Sequence, residues 1–285
     1  MKQLKLGWIG LGNMGNPMVK NLLKAGFDVA VFNRTKTKEK ELIDAGATSA
    51  SSPQQLIEAC DVVFTMLSND DAVKNIFEGE SGLLSQPHPE KLIIDMSTIS
   101  PEMSRYLSTK CSAQNINFLE APVSGSVKPA QDGTLIILVG GTVENFEKAK
   151  PYFDVLGKLS VHVGGAGVGS SAILAINYLL GLNLQGLAET VLFAEKNGVS
   201  KNDMLTIINE GACGNGITKL KSASILNNDY PAAFALKHLV KDLNLAKDAG
   251  LTSPLIKPLA DTYNAAQNNG LGEEDAMAIM KHLQQ

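Results

Sequence analysis

Over the first 141 residues the apolar positions fall into short runs bounded by glycine, proline and small polar residues. LKLGWIG (4–10), DVAVFN (28–33), VVFTML (62–67), LIIDMS (92–97), INFLEAPV (116–123) and TLIILVGG (134–141) read as strands. Between them apolar residues recur at helical spacing, over 14–25 and 36–45 and around the later strands. Strands that are apolar on both faces and alternate with helices predict a largely parallel sheet covered on both sides. After Gly169 the period changes. Helices are expected at 170–196, 201–210, 216–226, 231–249, 254–268 and 273–283, with no strand-like run among them. The pattern therefore predicts an α/β domain over 1–163 and an all-helical domain over 164–285. GGAGVG (164–169) and the long helix that follows it join the two.

GLGNMG (10–15) fits G-x-G-x-x-G, and it follows a strand and opens a helix. In that setting Gly10 allows a tight turn and Gly12 lets a pyrophosphate approach the backbone. Gly15 lets helix and strand pack closely. Leu11, Asn13 and Met14 complete the turn, and the helix N-terminus faces the phosphates. The first domain is thus expected to be Rossmann-like. A plain strand–helix turn is the alternative.

The end of the second strand bears on which dinucleotide binds. An Asp or Glu there would hold a ribose 2′-hydroxyl. This chain has Asn33-Arg34-Thr35, with Lys36 and Lys38 beyond. Arg34 offers a 2′-phosphate a planar fork of donors, with Asn33 and Thr35 adding hydrogen bonds, so NADP(H) is expected over NAD(H). A solvated basic turn that takes either cofactor is the alternative.

Ligands of such sheets lie beyond the carboxyl ends of the strands. Met66-Leu67-Ser68 and Met96-Ser97-Thr98 fall there. Leu67 would pack on the nicotinamide side and Thr98 would offer a hydroxyl to it, unless both are ordinary loop residues. Ser124-Gly125-Ser126 ends a further strand. Its glycine and hydroxyls suit an anion cradle for a small carboxylate, or form only a turn.

Lys and Arg number 25 against 29 Asp and Glu, and the net charge is −4. The basic residues are spread out, so neither nucleic acid nor an anionic membrane is an expected partner. Cys60, Cys111 and Cys213 form no CxxC pair, no metal site is read, and a reducing cytoplasm is the expected location. The apolar stretch from Ala172 to Leu184, interrupted by Asn177 and Asn183, is read as a buried helix too short to span a bilayer. The wide apolar surface of the 170–196 helix predicts a homodimer or homotetramer.

GWIGLGNMG, DMST, EAPVSGSVKPAQDGTLIILVGG, the glycine-led long helix and FALKHLVKDLNLA together resemble the β-hydroxyacid dehydrogenases, along essentially the whole chain. NRT, PVSGSVKPAQDG and FALKH..KD are most similar to the NADPH-using glyoxylate/succinic semialdehyde reductase branch. The resemblance implies reversible hydride transfer between NAD(P) and a small hydroxy acid or its oxo partner, in an active site between the domains. It places substrate binding on Ser124 and Gly125, the helix asparagine on Asn177, and the cofactor-side lysine on Lys241 followed by Asp242. Phe234 matches an aromatic that closes the pocket. Phe234, Lys237 and Lys241 would share one face of the 231–249 helix. Lys241–Asp242 as a solvated helix surface is the alternative. His162 and His238 match no acid–base position.

One position departs from the family pattern G-x-G-x-x-x-K-x-x-x-N. Gly167, Gly169 and Asn177 fit, but the lysine position is Ile173. An ammonium there would stabilise charge on a carbonyl oxygen and donate a proton, and isoleucine does neither. Three readings follow. The first is a reductase with another proton source, such as Lys241, a serine or water, or one acting on an iminium as imine reductases do. The second is a non-catalytic cofactor binder or scaffold. The third is an engineered substitution.

Overall fold

The computed structural model describes residues 4–284, and its contacts divide the chain into two compact units, one up to Ile173 and one from Leu174 onward. In the first unit a nine-stranded sheet is built from β1 (Leu6–Ile9), β2 (Val29–Phe32), β3 (Thr48–Ser49), β4 (Val62–Thr65), β5 (Leu92–Asp95), β6 (Asn117–Glu120), β7 (Val123–Ser124), β8 (Leu135–Gly141) and β9 (Gly157–Gly164). The spatial order is β3-β2-β1-β4-β5-β6-β8-β7, with β9 against β8. From β3 through β6 every pairing is parallel; β8 is antiparallel to β6 and β7 and parallel to β9. Helices α1 (Gly15–Lys24), α2 (Lys40–Asp44), α3 (Pro53–Ala59), α4 (Asp70–Glu78), α5 (Pro101–Ser112), α6 (Val127–Asp132) and α7 (Val143–Leu156) connect the strands.

Successive strand residues point to opposite faces, and both faces here are apolar. Leu6, Trp8, Val29, Val31, Val62, Phe64, Leu92 and Ile94 share one core cluster. Ile9, Ala30, Val63, Ile93 and Phe118 share another. Trp8 stacks on Phe64 with ring centroids 5.1 Å apart.

The parallel register brings the last residues of neighbouring strands into one row. Phe32 pairs with Ile9, Ile9 with Thr65, Thr65 with Asp95, and Asp95 with Glu120. The loops that follow therefore all leave the same edge. Three of the five members of that row, Thr65, Asp95 and Glu120, are polar, and all three are buried.

Helix α8 (Val168–Lys196) begins in the first unit, and α9 (Lys201–Glu210), α10 (Gly216–Asn227), α11 (Leu236–Asp248), α12 (Ile256–Ala266) and α13 (Ile279–Leu283) complete the second. Its core gathers Leu184, Val191, Leu239, Leu243, Leu259, Tyr263 and Met280, among others. The contact boundary falls inside α8 rather than at the glycine turn of 164–169. The reason is local. Glu120, 1% exposed, accepts hydrogen bonds from Gly169 N (2.7 Å) and the Ser170 hydroxyl (2.7 Å), which fixes the first turn of α8 to the end of β6.

Several elements differ from expectation. The edge strand β9 was not foreseen: its sequence has no buried apolar run, and Leu159 and Val161 are exposed. The helix expected at 36–45 starts as a 3-10 turn over Lys36–Glu39, and the one expected at 273–283 as a 3-10 turn over Ala276–Ala278. The helix expected from 231 starts only at Leu236. Asp275 accepts hydrogen bonds from Ala233 N (3.1 Å) and Phe234 N (3.2 Å), and Ala235 bridges to Asp275, so this stretch runs extended. Finally, α8 has 29 residues and a window of mean hydropathy 1.3, so it is long and apolar enough to cross a membrane, contrary to the length read from the apolar stretch alone.

The Glu120 fastening gives a stability prediction. Glu120→Ala leaves the Gly169 N–H and the Ser170 hydroxyl buried without their acceptor and should lower the unfolding free energy by about 3 kcal/mol. Urea denaturation checks this, and an unchanged midpoint would show that the fastening is not needed.

Candidate cofactor and substrate site

The turn after β1 needs its glycines for two different reasons. Gly10 has φ +97°, and a Cβ on it would lie 2.2 Å from Met66 O. A Cβ on Gly15 would lie 2.0 Å from Gly10 O. The Trp8 indole donates to Gly10 O (3.1 Å), which tightens the turn further. Gly12 is different: nothing of the protein lies within 4 Å of its would-be Cβ. No side chain caps the N-terminus of α1, and its first turn carries no acid. Exposed backbone donors beside an open glycine suit a pyrophosphate, so these residues fit a dinucleotide. Leu11 is buried, Asn13 is exposed and Met14 lies between.

At the end of β2, Asn33 is built into the turn. Its Oδ1 accepts from Leu11 N (3.0 Å), its Nδ2 donates to Thr35 O (2.9 Å), and its own N donates to Glu39 Oε1 (2.7 Å). Both polar atoms of the Asn33 side chain are thus engaged within the loop, and one Nδ2 hydrogen remains for the 2′-phosphate contact expected of it. Arg34 and Thr35 are exposed.

Beyond β4 and β5 a single buried acid organises two loops. Asp95 accepts from the Thr65 hydroxyl (2.7 Å), the Ser97 hydroxyl (2.6 Å) and Ser97 N (3.2 Å). Ser97 Oγ in turn accepts from Leu67 N (2.8 Å). Met66 and Leu67 are half-buried, Ser68 is exposed and Thr98 is half-buried. Burial pushes the Asp95 carboxyl up to about 6; the Ser97 and Thr65 hydrogen bonds oppose this, and nearby Glu120 adds to it.

Gly125 has φ +140°, and a Cβ there would lie 2.9 Å from Leu135 Cδ2, so glycine is required. Ser124 ends β7 and Ser126 precedes α6 without capping it. Ser124 and Ser126 are both half-buried.

In the second unit Asn177, Lys241 and Asp242 form one cluster. Asn177 Nδ2 donates to Asp242 Oδ2 (2.7 Å), and Lys241 Nζ lies 3.3 Å from Asp242 Oδ1. Asn177 and Asp242 are buried, which rules out a wholly solvated helix surface for this pair. Burial pushes the Asp242 carboxyl up, and Lys241 and Asn177 oppose it. Phe234 does not share a helix face with Lys241, because it precedes α11. Its ring lies 6.1 Å from that of His238. Lys237 is paired with Glu273 (2.6 Å). Burial, then Lys241 and Lys237, push the His238 imidazole below its usual range. His162 bonds Gly141 O (2.9 Å), a structural contact.

Ile173 is 1% exposed on α8, three residues after Ser170 and four before Asn177. Its position supplies neither charge nor proton. Sequence reasoning missed the acids that hold these loops: Glu39, Asp95 and Glu120. For two of them a signal existed. LIID and NFLE each close an apolar strand with an acid, and an acid inside a buried run must be hydrogen-bonded.

Comparison with known proteins adds the family. Residues 5–165 match the model of the NAD binding domain of 6-phosphogluconate dehydrogenase. Residues 167–283 match that of the NAD-binding region of NADP-dependent 3-hydroxyisobutyrate dehydrogenase. Glyoxylate/succinic semialdehyde reductase 1 of Arabidopsis thaliana is 38% identical, over 98% of each chain. Its chloroplastic counterpart, reductase 2, is 36% identical over 98% of this chain and 79% of its own length. The solved structure of 3-hydroxyisobutyrate dehydrogenase from Mycobacterium tuberculosis with L-serine superposes with a TM-score of 0.90. It is 30% identical, covering 99% of this chain and 100% of that one.

Asp95 sets a pH dependence. Its carboxyl is raised from 3.8 to about 6 in the folded chain. Between those values the folded state holds a proton that the unfolded state has lost, so stability falls as pH rises through that window. Asp95→Asn keeps an acceptor without the charge. The variant should therefore gain stability relative to the native chain from about pH 4 to 6, by roughly 2–3 kcal/mol, and hold that gain above. Denaturant midpoints of both proteins across pH 4–8 test this, and a difference that does not change with pH would refute it.

Proposed function

We propose a function from one premise: this chain belongs to the β-hydroxyacid dehydrogenase family of oxidoreductases. On that premise it is an NADP(H)-dependent reductase of small oxo or semialdehyde acids such as glyoxylate or succinic semialdehyde. The observation that carries the reading is the loop after β2. It presents Arg34 to solvent while its carboxylate, Glu39, is 2% exposed and already engaged. A guanidinium there favours a 2′-phosphate, and a buried, engaged carboxylate has nothing to offer a 2′-hydroxyl.

The amides of Gly12 to Gly15 would hold the pyrophosphate, and Met66, Leu67, Ser68 and Thr98 the nicotinamide end. Ser124, Gly125 and Ser126 would bind the substrate carboxylate, with Asn177 and Phe234 as further substrate contacts. When bound, the nicotinamide supplies a hydride to the carbonyl carbon. The proton cannot come from Ile173. In the Asn177–Asp242–Lys241 cluster, Lys241 carries the acidic proton, and Asp242 holds its ammonium in place. Asn177, by donating to Asp242, fixes its own amide orientation.

The buried isoleucine also favours a second substrate class. An iminium already bears the positive charge that a general acid would otherwise have to provide. Exposed Ile176, Leu179 and Phe193 on α8 suit a second copy of the chain, hence a homodimer or homotetramer. α8 is read as a protein-interior helix rather than a membrane span, since Ser170 and Asn177 are both hydrogen-bonded to buried acids. Free Cys60, Cys111 and Cys213 suit a reducing cytoplasm.

NADPH oxidation, followed by absorbance with glyoxylate, succinic semialdehyde and a cyclic imine, tests the function. Slow turnover of an oxo acid is expected from the native chain. Ile173→Lys should raise kcat by ~10²- to 10⁴-fold, the usual range for general acid catalysis. Turnover of the imine alone would move the substrate class. Tight NADPH binding with no turnover by either protein would overturn the reductase reading in favour of a cofactor-binding role.

A further inference from the structure

Of the exposed cations in the basic turn after β2, Arg34 and Lys36 differ in what they bind. Arg34 is exposed, and its side chain makes no hydrogen bond or ion pair among the described residues. Lys36 is also exposed, with 51% of its side chain accessible, but its ammonium is tethered. Its Nζ donates to Glu39 Oε1 (2.8 Å) and to Ala50 O (2.7 Å) and sits 4.6 Å from the centre of the Phe32 ring. Glu39, 2% exposed, accepts three hydrogen bonds in all: Oε1 takes Asn33 N (2.7 Å) and Lys36, and Oε2 takes the Ser49 hydroxyl (2.6 Å). Asn33 passes the constraint on to Leu11 N in the glycine turn.

We propose that Glu39 determines which cation meets the cofactor's 2′-phosphate. It tethers the Lys36 ammonium, so recognition falls to Arg34, and it anchors Asn33, so the loop bearing Arg34 keeps its place against the glycine turn. This rests on the NADP(H) reading above. The argument is one of charge and geometry. A buried carboxylate without its cation is strongly disfavoured, so Lys36 cannot leave Glu39 to bind a surface phosphate at little cost. Arg34 loses nothing by doing so. Lys38, also exposed, lacks such a tether. A role limited to stabilising the 3-10 turn would make Glu39 and Lys36 indifferent to the phosphate.

The test is direct binding of NADPH and NADH, measured by calorimetry, so turnover is not needed. In the native chain NADPH should bind at least tenfold more tightly than NADH. Arg34→Ala should remove most of that preference and leave NADH affinity within about twofold. Lys36→Gln keeps donors for Glu39 and Ala50 O and should leave the preference unchanged, although it deletes a cation two residues from Arg34. Glu39→Gln releases Lys36 and should raise the NADPH preference about three- to tenfold, with a steeper loss of affinity in salt. Adding Lys36→Gln to that variant should cancel the rise.

If the native chain binds both dinucleotides equally, the NADP(H) reading fails and the proposal with it. If the native chain prefers NADPH but Lys36→Gln alone abolishes the preference, only the proposal fails. It fails equally if Glu39→Gln retains NADH binding and leaves the preference where it was. Should Glu39→Gln not fold, the Lys36→Gln and Arg34→Ala results decide.

Discussion

A carboxylate taken out of water must replace its hydration with hydrogen bonds from the protein, and in doing so it fixes whatever donates to it. The chain uses this constraint repeatedly. Glu39, Asp95 and Glu120 are buried at or just beyond the carboxyl ends of β2, β5 and β6, and Asp242 and Asp275 are buried in the helical unit. Each takes its donors from segments distant in sequence or otherwise irregular. Glu39 holds the β2 loop, Asp95 the ends of β4 and β5, and Glu120 the first turn of α8. Asp242 holds Asn177, and Asp275 holds Lys221 and the extended stretch before α11. Parallel strands send all their loops out of one edge of the sheet. The loops there carry the candidate ligand-binding residues, so a fastener at that edge sets their positions.

The apolar architecture was legible from the chain because it rests on local periodicity. Runs such as VVFT and LIID are buried on both faces, and a glycine-led turn between a strand and a helix has few other meanings. What escaped was pairing that local sequence does not encode. β9 is held by main-chain bonds to β8 while its side chains are half-exposed, so no apolar run announces it. The late start of α11 depends on Asp275, about forty residues further along, and a propensity argument over 231–249 has no access to that partner.

The candidate site was legible in part. The glycines of 10–15, Arg34 and the Ser124–Ser126 turn could be chosen from motif and position, and Gly10, Gly15 and Gly125 have steric reasons in the fold. Asn33 could be chosen too, as a donor to a 2′-phosphate, whereas its part in holding the loop together could not. Its partner Glu39 lies in KTKEKE, a stretch that reads as a solvated charge run. Nothing in that run separates the buried acid from its exposed neighbours, because the distinction lies in Ser49 and Ala50, on the far side of α2.

The same buried acids bear on what Ile173 means. Along α8, Ser170 and Asn177 flank it at spacings of three and four residues, and both are held by enclosed carboxylates, Glu120 and Asp242. A helix face that had drifted from any polar duty would have no physical need for two such bonds, each of which confines a polar group that solvent would otherwise satisfy. Their presence means that α8 is held by hydrogen bonds on either side of residue 173, while residue 173 itself is a buried side chain of purely apolar bulk. On the reductase reading, a site of that kind would keep groups that orient a ligand and lack only the chemistry of one group. Its rate then depends on how much activation the substrate brings with it.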